Sequence, residues 1–314
     1  MANIYGEGTL SFELVADWAK VPGGELGDVC SIAIDQQDRL YVLTRGPRPV
    51  IVFAEDGTLL DSWGTGYFDR AHGGCLGPDG ALYCTDDLGH TVAKFSADGR
   101  RLLTLGTRGV ASSTGYRHFG DVFERISSII KGGAPFNRPT GVAINAEGDI
   151  FVADGYGNAR VHKFTREGIL VRSWGEPGGE RGQFRLPHSL TTDLEGRVYV
   201  ADRENSRIQI FDAEGNFLNQ WRDVIRPTDV FIDSTGLTYV SELCNRVSIF
   251  RPDGKLLARW GNESHEEGEP LFVAPHALAV DSRGSLYVGE VAITFAKHDR
   301  GIRNIQKFVR RDRH

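Results

Sequence analysis

The chain alternates short apolar runs with polar, glycine-containing turns, and the alternation itself recurs. Two consecutive stretches show the unit clearly: Gly141-Val-Ala-Ile-Asn-Ala-Glu-Gly-Asp-Ile-Phe-Val-Ala-Asp154 and Leu190-Thr-Thr-Asp-Leu-Glu-Gly-Arg-Val-Tyr-Val-Ala-Asp202. Each predicts two strands joined by a hairpin, because glycine accepts the positive φ that a strand reversal demands. A third strand and turn follow, in Ala159-Arg-Val-His-Lys-Phe-Thr-Arg-Glu-Gly168 and Ser206-Arg-Ile-Gln-Ile-Phe-Asp-Ala-Glu-Gly215. A fourth strand then closes at a tryptophan or glycine, as in Val171-Arg-Ser-Trp-Gly175, Gln220-Trp221 and Ala258-Arg-Trp-Gly261.

Six such units can be counted from anchor positions Cys30, His72, Thr140, His188, Thr228 and His276, with gaps of 42, 68, 48, 40 and 48 residues. A four-strand unit of this period cannot bury its own faces, so stacked copies imply an all-β, six-bladed β-propeller spanning residues 1–314 as one domain. The long second gap holds an insertion at 107–135, with a short helical patch Val122-Phe-Glu-Arg-Ile-Ser-Ser-Ile-Ile130. The early strand Ser11-Phe-Glu-Leu-Val-Ala-Asp-Trp18 has no hairpin of its own. It is expected to complete the last blade and so remove open sheet edges.

Composition narrows the class. With 314 residues, 40% of them hydrophobic, the chain can bury a large core. A net charge of -6 argues against nucleic acid as a partner, since phosphate binding needs a basic face. The basic tail Arg310-Arg311-Asp312-Arg313 is expected to be a frayed terminus. No stretch has the length of a membrane helix, and the N-terminus lacks the basic-then-apolar order of a signal peptide. The four cysteines Cys30, Cys75, Cys84 and Cys244 have neither zinc-ribbon spacing nor a secreted disulfide pattern, and a cytoplasmic protein is expected.

The repeat also places the chemistry. His72, His188 and His276 occupy the anchor in every second unit. In a ring they would meet at roughly 120° steps and offer three imidazoles with an open fourth position, the pattern of a catalytic zinc or another divalent ion. Cys30 holds the same place in the first unit and is expected to be a buried structural thiol. At the end of the second strand the equivalent residues are Arg45, Asp87, Gly155, Arg203, Leu243 and Val291. Arg45 and Arg203 are suited to hold a small carboxylate-bearing substrate bidentately. Tyr156, directly after Gly155, would stand at the same mouth, where a metal and two guanidiniums would lower its pKa and let it act as general base. Asp86, Asp154 and Asp202 recur by unit, as a fold-building hydrogen bond would.

The units resemble NHL repeats in Arg138-Pro-Thr-Gly-Val-Ala-Ile, Ala153-Asp154-Gly-Tyr-Gly-Asn-Ala-Arg160 and Ala201-Asp202-Arg-Glu-Asn-Ser-Arg207. Taken with Thr44-Arg45-Gly46, His72-Gly73, Leu186-Pro-His188-Ser-Leu190 and Pro275-His276, the whole set resembles the peptidyl-α-hydroxyglycine α-amidating lyases. That resemblance implies His72, His188 and His276 as zinc ligands, Arg45 and Arg203 as substrate contacts, and Tyr156 as base. The chain departs from the family at Ala277, where an aspartate helps hold a structural calcium, and at Ala274, where a methionine lies near the substrate. It also has Gly157 and Asn137 where the family has a disulfide. These differences put calcium and a peptidic substrate in doubt. A small ureido- or acylamino-hydroxyacid fits as well.

The expected reaction is cleavage of a carbinolamide, an N–C–OH unit, into an amide and glyoxylate or a related aldehyde. Two alternatives remain open from the residues. One is a non-catalytic NHL-repeat binding scaffold; the other is a divalent-metal hydrolase with Glu204 or Asp87 as base. The sequence leaves the oligomeric state undetermined.

Overall fold

The computed structural model describes residues 3–261 and 270–311. It is a six-bladed β-propeller, every blade a four-stranded antiparallel sheet, one of them with a fifth strand at its edge. Two compact units are distinguished, residues 66–227 and residues 1–65 with 228–314.

The unit of residues 66–227 holds three blades in chain order. They begin with the strands Ala71–Leu76, Pro139–Ile144 and Pro187–Thr192, and end with Arg101–Leu105, Leu170–Trp174 and Phe217–Trp221. Apolar side chains of consecutive blades interleave. Phe151, Val161 and Trp174 of one blade pack with Leu190, Val200 and Phe211 of the next. Trp174 and Trp221 end their strands, as the repeat predicts.

In the other unit the first blade begins with Val29–Ile34, the fifth with Pro227–Ile232 and the sixth with Pro275–Val280. The sixth blade is built from both ends of the chain. The strand Leu10–Val15 pairs antiparallel with Ile305–Arg311, placing Ser11 opposite Arg311, and Ile4–Glu7 adds a fifth strand outside it. The early strand therefore completes the last blade, as expected. Arg310 and Arg311 lie in this strand rather than in a frayed tail, because the N-terminal strand offers them a hydrogen-bonding partner; Asp312 and Arg313 lie outside the described residues.

The hairpin turns behave as their sequences require. Gly196 has φ +77 and donates its N–H to the Asp193 carbonyl at 3.0 Å, closing the turn between the first two strands of the fourth blade. The recurring acids at the end of the second strand are structural. Asp86 accepts from the backbone N–H groups of Asp69, Arg70 and Gly89, and Asp154 from Asn137. Asp202 accepts from Arg185 N–H and from the Arg207 guanidinium at 2.8 Å. Arg207 is fully buried, and its other N–H groups reach the carbonyls of Gly179, Glu180 and Gln183. Removing one member of such a pair leaves a buried charge uncompensated. Arg207→Met is therefore expected to destabilise the protein by about 3–5 kcal/mol in denaturant unfolding.

Between Leu105 and Pro139 the chain carries one short helix, Val122–Ser127, started by a capping box between Asp121 and Glu124. No helix among the described residues is long and apolar enough to cross a membrane. The four cysteines are free thiols.

Candidate metal centre and active site

Each anchor residue is the second residue of the first strand of its blade. Pro187 faces Asp202 and Ser189 faces Ala201, so His188 is the extra residue of a β-bulge. The same slip occurs at Cys30, Thr140 and His276, and in the second blade His72 and Gly73 together oppose Thr85. A bulge re-aims the side chain of its extra residue, which is how one repeat position can present a ligand in one blade and a threonine in the next.

His72, His188 and His276 are all buried and form a group that could hold a metal ion. In the unit of residues 66–227, His72 and His188 lie with ring centroids 4.8 Å apart. His72 Nδ1–H donates to the Thr140 carbonyl at 2.7 Å. In the other unit His276 Nδ1–H donates to the Cys30 carbonyl at 3.0 Å. A carbonyl only accepts, so in both neutral rings the proton sits on Nδ1 and Nε2 keeps its lone pair. Imidazoles held in this tautomer by a backbone carbonyl suit zinc or another divalent ion at Nε2, so the residues present fit the group. The Cys30 thiol is buried and donates to Leu43 O within its own blade, a structural role as expected.

Tyr156 stands beside the first two histidines. Its hydroxyl is 3.2 Å from His72 Nε2 and 3.5 Å from His188 Nε2. The Arg203 guanidinium lies over its ring at 5.6 Å from the centroid. Arg203 is itself buried and pairs with Glu204 at 2.8 Å. Burial pushes the Glu204 carboxyl up, but Arg203 and Arg226 outweigh it and hold the group below the usual carboxylate range. Arg45 belongs to the other unit, where it bonds Thr294 Oγ1 at 3.3 Å and lies 3.9 Å from Asp28. Thus Tyr156, Arg203, His72 and His188 come together in one unit, and Arg45 follows its strand as its repeat position requires.

Two carboxylates weighed as hydrolytic bases are already engaged. Glu204 also pairs with Arg226 at 2.8 Å, and Asp87 pairs with Arg138 at 2.8 Å and Arg70 at 3.5 Å. Both arginines of the second group also lie over the Tyr156 ring, Arg138 at 5.1 Å and Arg70 at 5.6 Å. Sequence reasoning missed them as site residues. The signal was present: two places before the anchor the repeat reads Asp28, Arg70, Arg138, Leu186, Arg226 and Ala274. It also missed Tyr116, whose hydroxyl accepts from Arg138 at 2.7 Å and whose ring joins Ile126, Ile129 and Tyr156 in one apolar cluster. Gly157 and Asn137 are neighbours, since Gly157 N–H donates to Asn137 O at 3.0 Å.

Fold and repeat place the protein in the class of NHL-type propellers. The NHL repeat model matches residues 136–164 and 184–211. Human NHL repeat-containing protein 3 is 30% identical over 321 residues, covering 95% of this chain and 84% of that relative. The chain therefore belongs to the NHL-repeat family. Peptidyl-alpha-hydroxyglycine alpha-amidating lyase 1 of Drosophila melanogaster is 34% identical over 206 residues, which is 60% of this chain and 35% of that protein. A gluconolactonase of known structure from Xanthomonas campestris has a TM-score of 0.63 at 16% identity, over 95% of this chain and 89% of that one, a likeness of fold.

Proposed function

We propose that the protein is a zinc- or other divalent-metal-dependent carbon–nitrogen lyase that cleaves an N-acyl-α-hydroxyglycine or a similar carbinolamide into an amide and glyoxylate. The observation that carries this reading is the Tyr156 hydroxyl within 3.5 Å of Nε2 of both His72 and His188, under the Arg203 guanidinium. A phenol beside metal-type imidazoles and an arginine suits proton transfer from an alcohol whose neighbouring carboxylate must also be held. Similarity to a protein named as an amidating lyase supports the same reading.

His72, His188 and His276 would hold the ion, which when bound supplies Lewis-acid polarisation of the substrate's oxygens. Arg203 and Arg45 bind the carboxylate of the hydroxyglycine unit. Tyr156, as phenolate, takes the hydroxyl proton while the C–O bond becomes a carbonyl and the C–N bond breaks. The electron pair of that bond goes to nitrogen, and Tyr156 returns the proton there, giving the neutral amide. Atoms and charge balance without water or an oxidant.

The test is to incubate the zinc-loaded protein with N-benzoyl-α-hydroxyglycine. Equimolar benzamide and glyoxylate are expected. Benzoate in place of benzamide would mean hydrolysis and overturn the lyase reading. Absence of turnover together with zinc-independent binding of a protein partner would favour a scaffold, a reading prompted by similarity to a relative named only for its repeats.

A further inference from the structure

Within the unit of residues 66–227, the repeat position two places before the anchor is occupied by arginine at Arg70, Arg138 and Arg226. Two of these are committed to buried carboxylates, Arg138 to Asp87 at 2.8 Å and Arg226 to Glu204 at 2.8 Å. Arg203 is likewise tied to Glu204 at 2.8 Å. Arg70 differs. Its guanidinium lies 3.5 Å from Asp87, a carboxylate that Arg138 already holds more closely, and its side chain has no closer polar partner among the described residues. That side chain is 26% exposed, against 6% for Arg138 and 7% for Arg203.

The backbone that carries Arg70 is nevertheless fixed. Its N–H donates to Asp86 at 2.8 Å, and its carbonyl accepts from Asp87 N–H at 3.1 Å. Two residues on, His72 reaches the Tyr156 hydroxyl, and the Arg70 guanidinium itself lies over the Tyr156 ring, 5.6 Å from its centroid. A permanently charged fork with five N–H donors thus stands beside the Tyr156–histidine cluster with most of those donors unspent within the protein. Two carboxylates, Asp87 and Glu204, serve four guanidiniums here, while Asp86 spends its oxygens on backbone N–H groups. The positive field extends outward: Arg125 first, then slight burial, Arg138 and Arg70, hold the exposed His118 imidazole below its ordinary value. In a chain of net charge -6, such a local excess of cations favours an anion.

We propose that Arg70 is a further substrate-binding residue: its guanidinium takes an oxygen of the carboxylate that Arg203 orients, and so makes the cluster select an anionic ligand. Arg203, buried and neutralised by Glu204, sets direction. Arg70, reachable and loosely paired, supplies the attraction. Its part in turnover rests on the lyase reading, whereas the preference for an anion is tested by binding alone.

The test compares the zinc-loaded parent with Arg70→Met and Arg70→Lys. Calorimetric binding of N-benzoylglycine, which has a carboxylate but no hydroxyl to react, is set against N-benzoylglycinamide, its uncharged counterpart. Arg70→Met should weaken N-benzoylglycine by about 10- to 100-fold, the range of a charge-assisted hydrogen bond, and N-benzoylglycinamide by less than about twofold. On N-benzoyl-α-hydroxyglycine the same loss should appear in KM, with kcat within about threefold, because the carboxylate is held alike in ground and transition states. Arg70→Lys should recover part of the loss, since charge returns without the planar fork. It also gives the acid–amide contrast, at smaller size, should the methionine variant lose its fold or its metal. Equal losses for acid and amide, as a merely structural role would give, or no loss for the acid, would overturn the assignment and leave the lyase reading intact. A parent that fails to turn over yet binds N-benzoylglycine through Arg70 would sink the lyase reading and keep the anion site. A parent that does neither sinks both.

Discussion

Tyr156→Phe is expected to lower kcat by about 10²–10⁴-fold, the usual contribution of one positioned acid–base group, while metal content and KM change little. The substitution removes a single oxygen. The ring stays, and with it the packing against Ile126, Ile129 and Tyr116 and the three guanidiniums that lie over it. The neighbours of the hydroxyl include Nε2 of His72 and of His188. A loss of kcat is therefore attributable to proton transfer. The measurement is single-turnover glyoxylate release beside elemental analysis of the same sample. Activity within about twofold of the parent would remove Tyr156 from the mechanism and return the carboxylate-based hydrolase to consideration.

The second large effect concerns the histidines. Replacing His72, His188 and His276 together by alanine is expected to take bound metal from about one ion per chain to none and to abolish turnover, as a three-imidazole site with one open position predicts. Stability gives an independent readout. An ion present at 100 times its Kd stabilises the folded state by about 2.7 kcal/mol, so added zinc should raise the parent's Tm and leave the variant's unmoved. His72 and His276 each give a hydrogen bond to a backbone carbonyl of another blade, so the variant loses some stability even without metal. For that reason the zinc-dependent shift, and not the Tm itself, is the decisive quantity. A variant that still takes up one equivalent of zinc would place the metal elsewhere.

Much of this was legible in the residues, for definable reasons. Strand periodicity and glycine turns are local, so the four-strand unit, its anchors and the closing N-terminal strand could be read from spacing. The recurring Asp86, Asp154 and Asp202 turned out as fold-building acceptors because a repeated position implies a repeated backbone environment. Arg45 and Arg203 follow their second strands as the repeat predicts. What escaped was non-local. Arg138 was read only as part of the NHL-like repeat, and only packing shows it bridging Asp87, Tyr116 and Tyr156. Asp87 looked available as a base until two arginines were found on it.

By itself, then, the sequence determined the propeller, the histidine positions in alternate blades and the residue types available for proton transfer and carboxylate binding, because each depends on periodicity along one chain. Tertiary structure decided the histidine tautomers, the bulges that aim the anchors and the arginine clamp around Tyr156. It also decided which face of the insertion meets the site. These depend on groups from different blades whose distances no spacing in the sequence encodes, and whose hydrogen bonds form only when the blades pack.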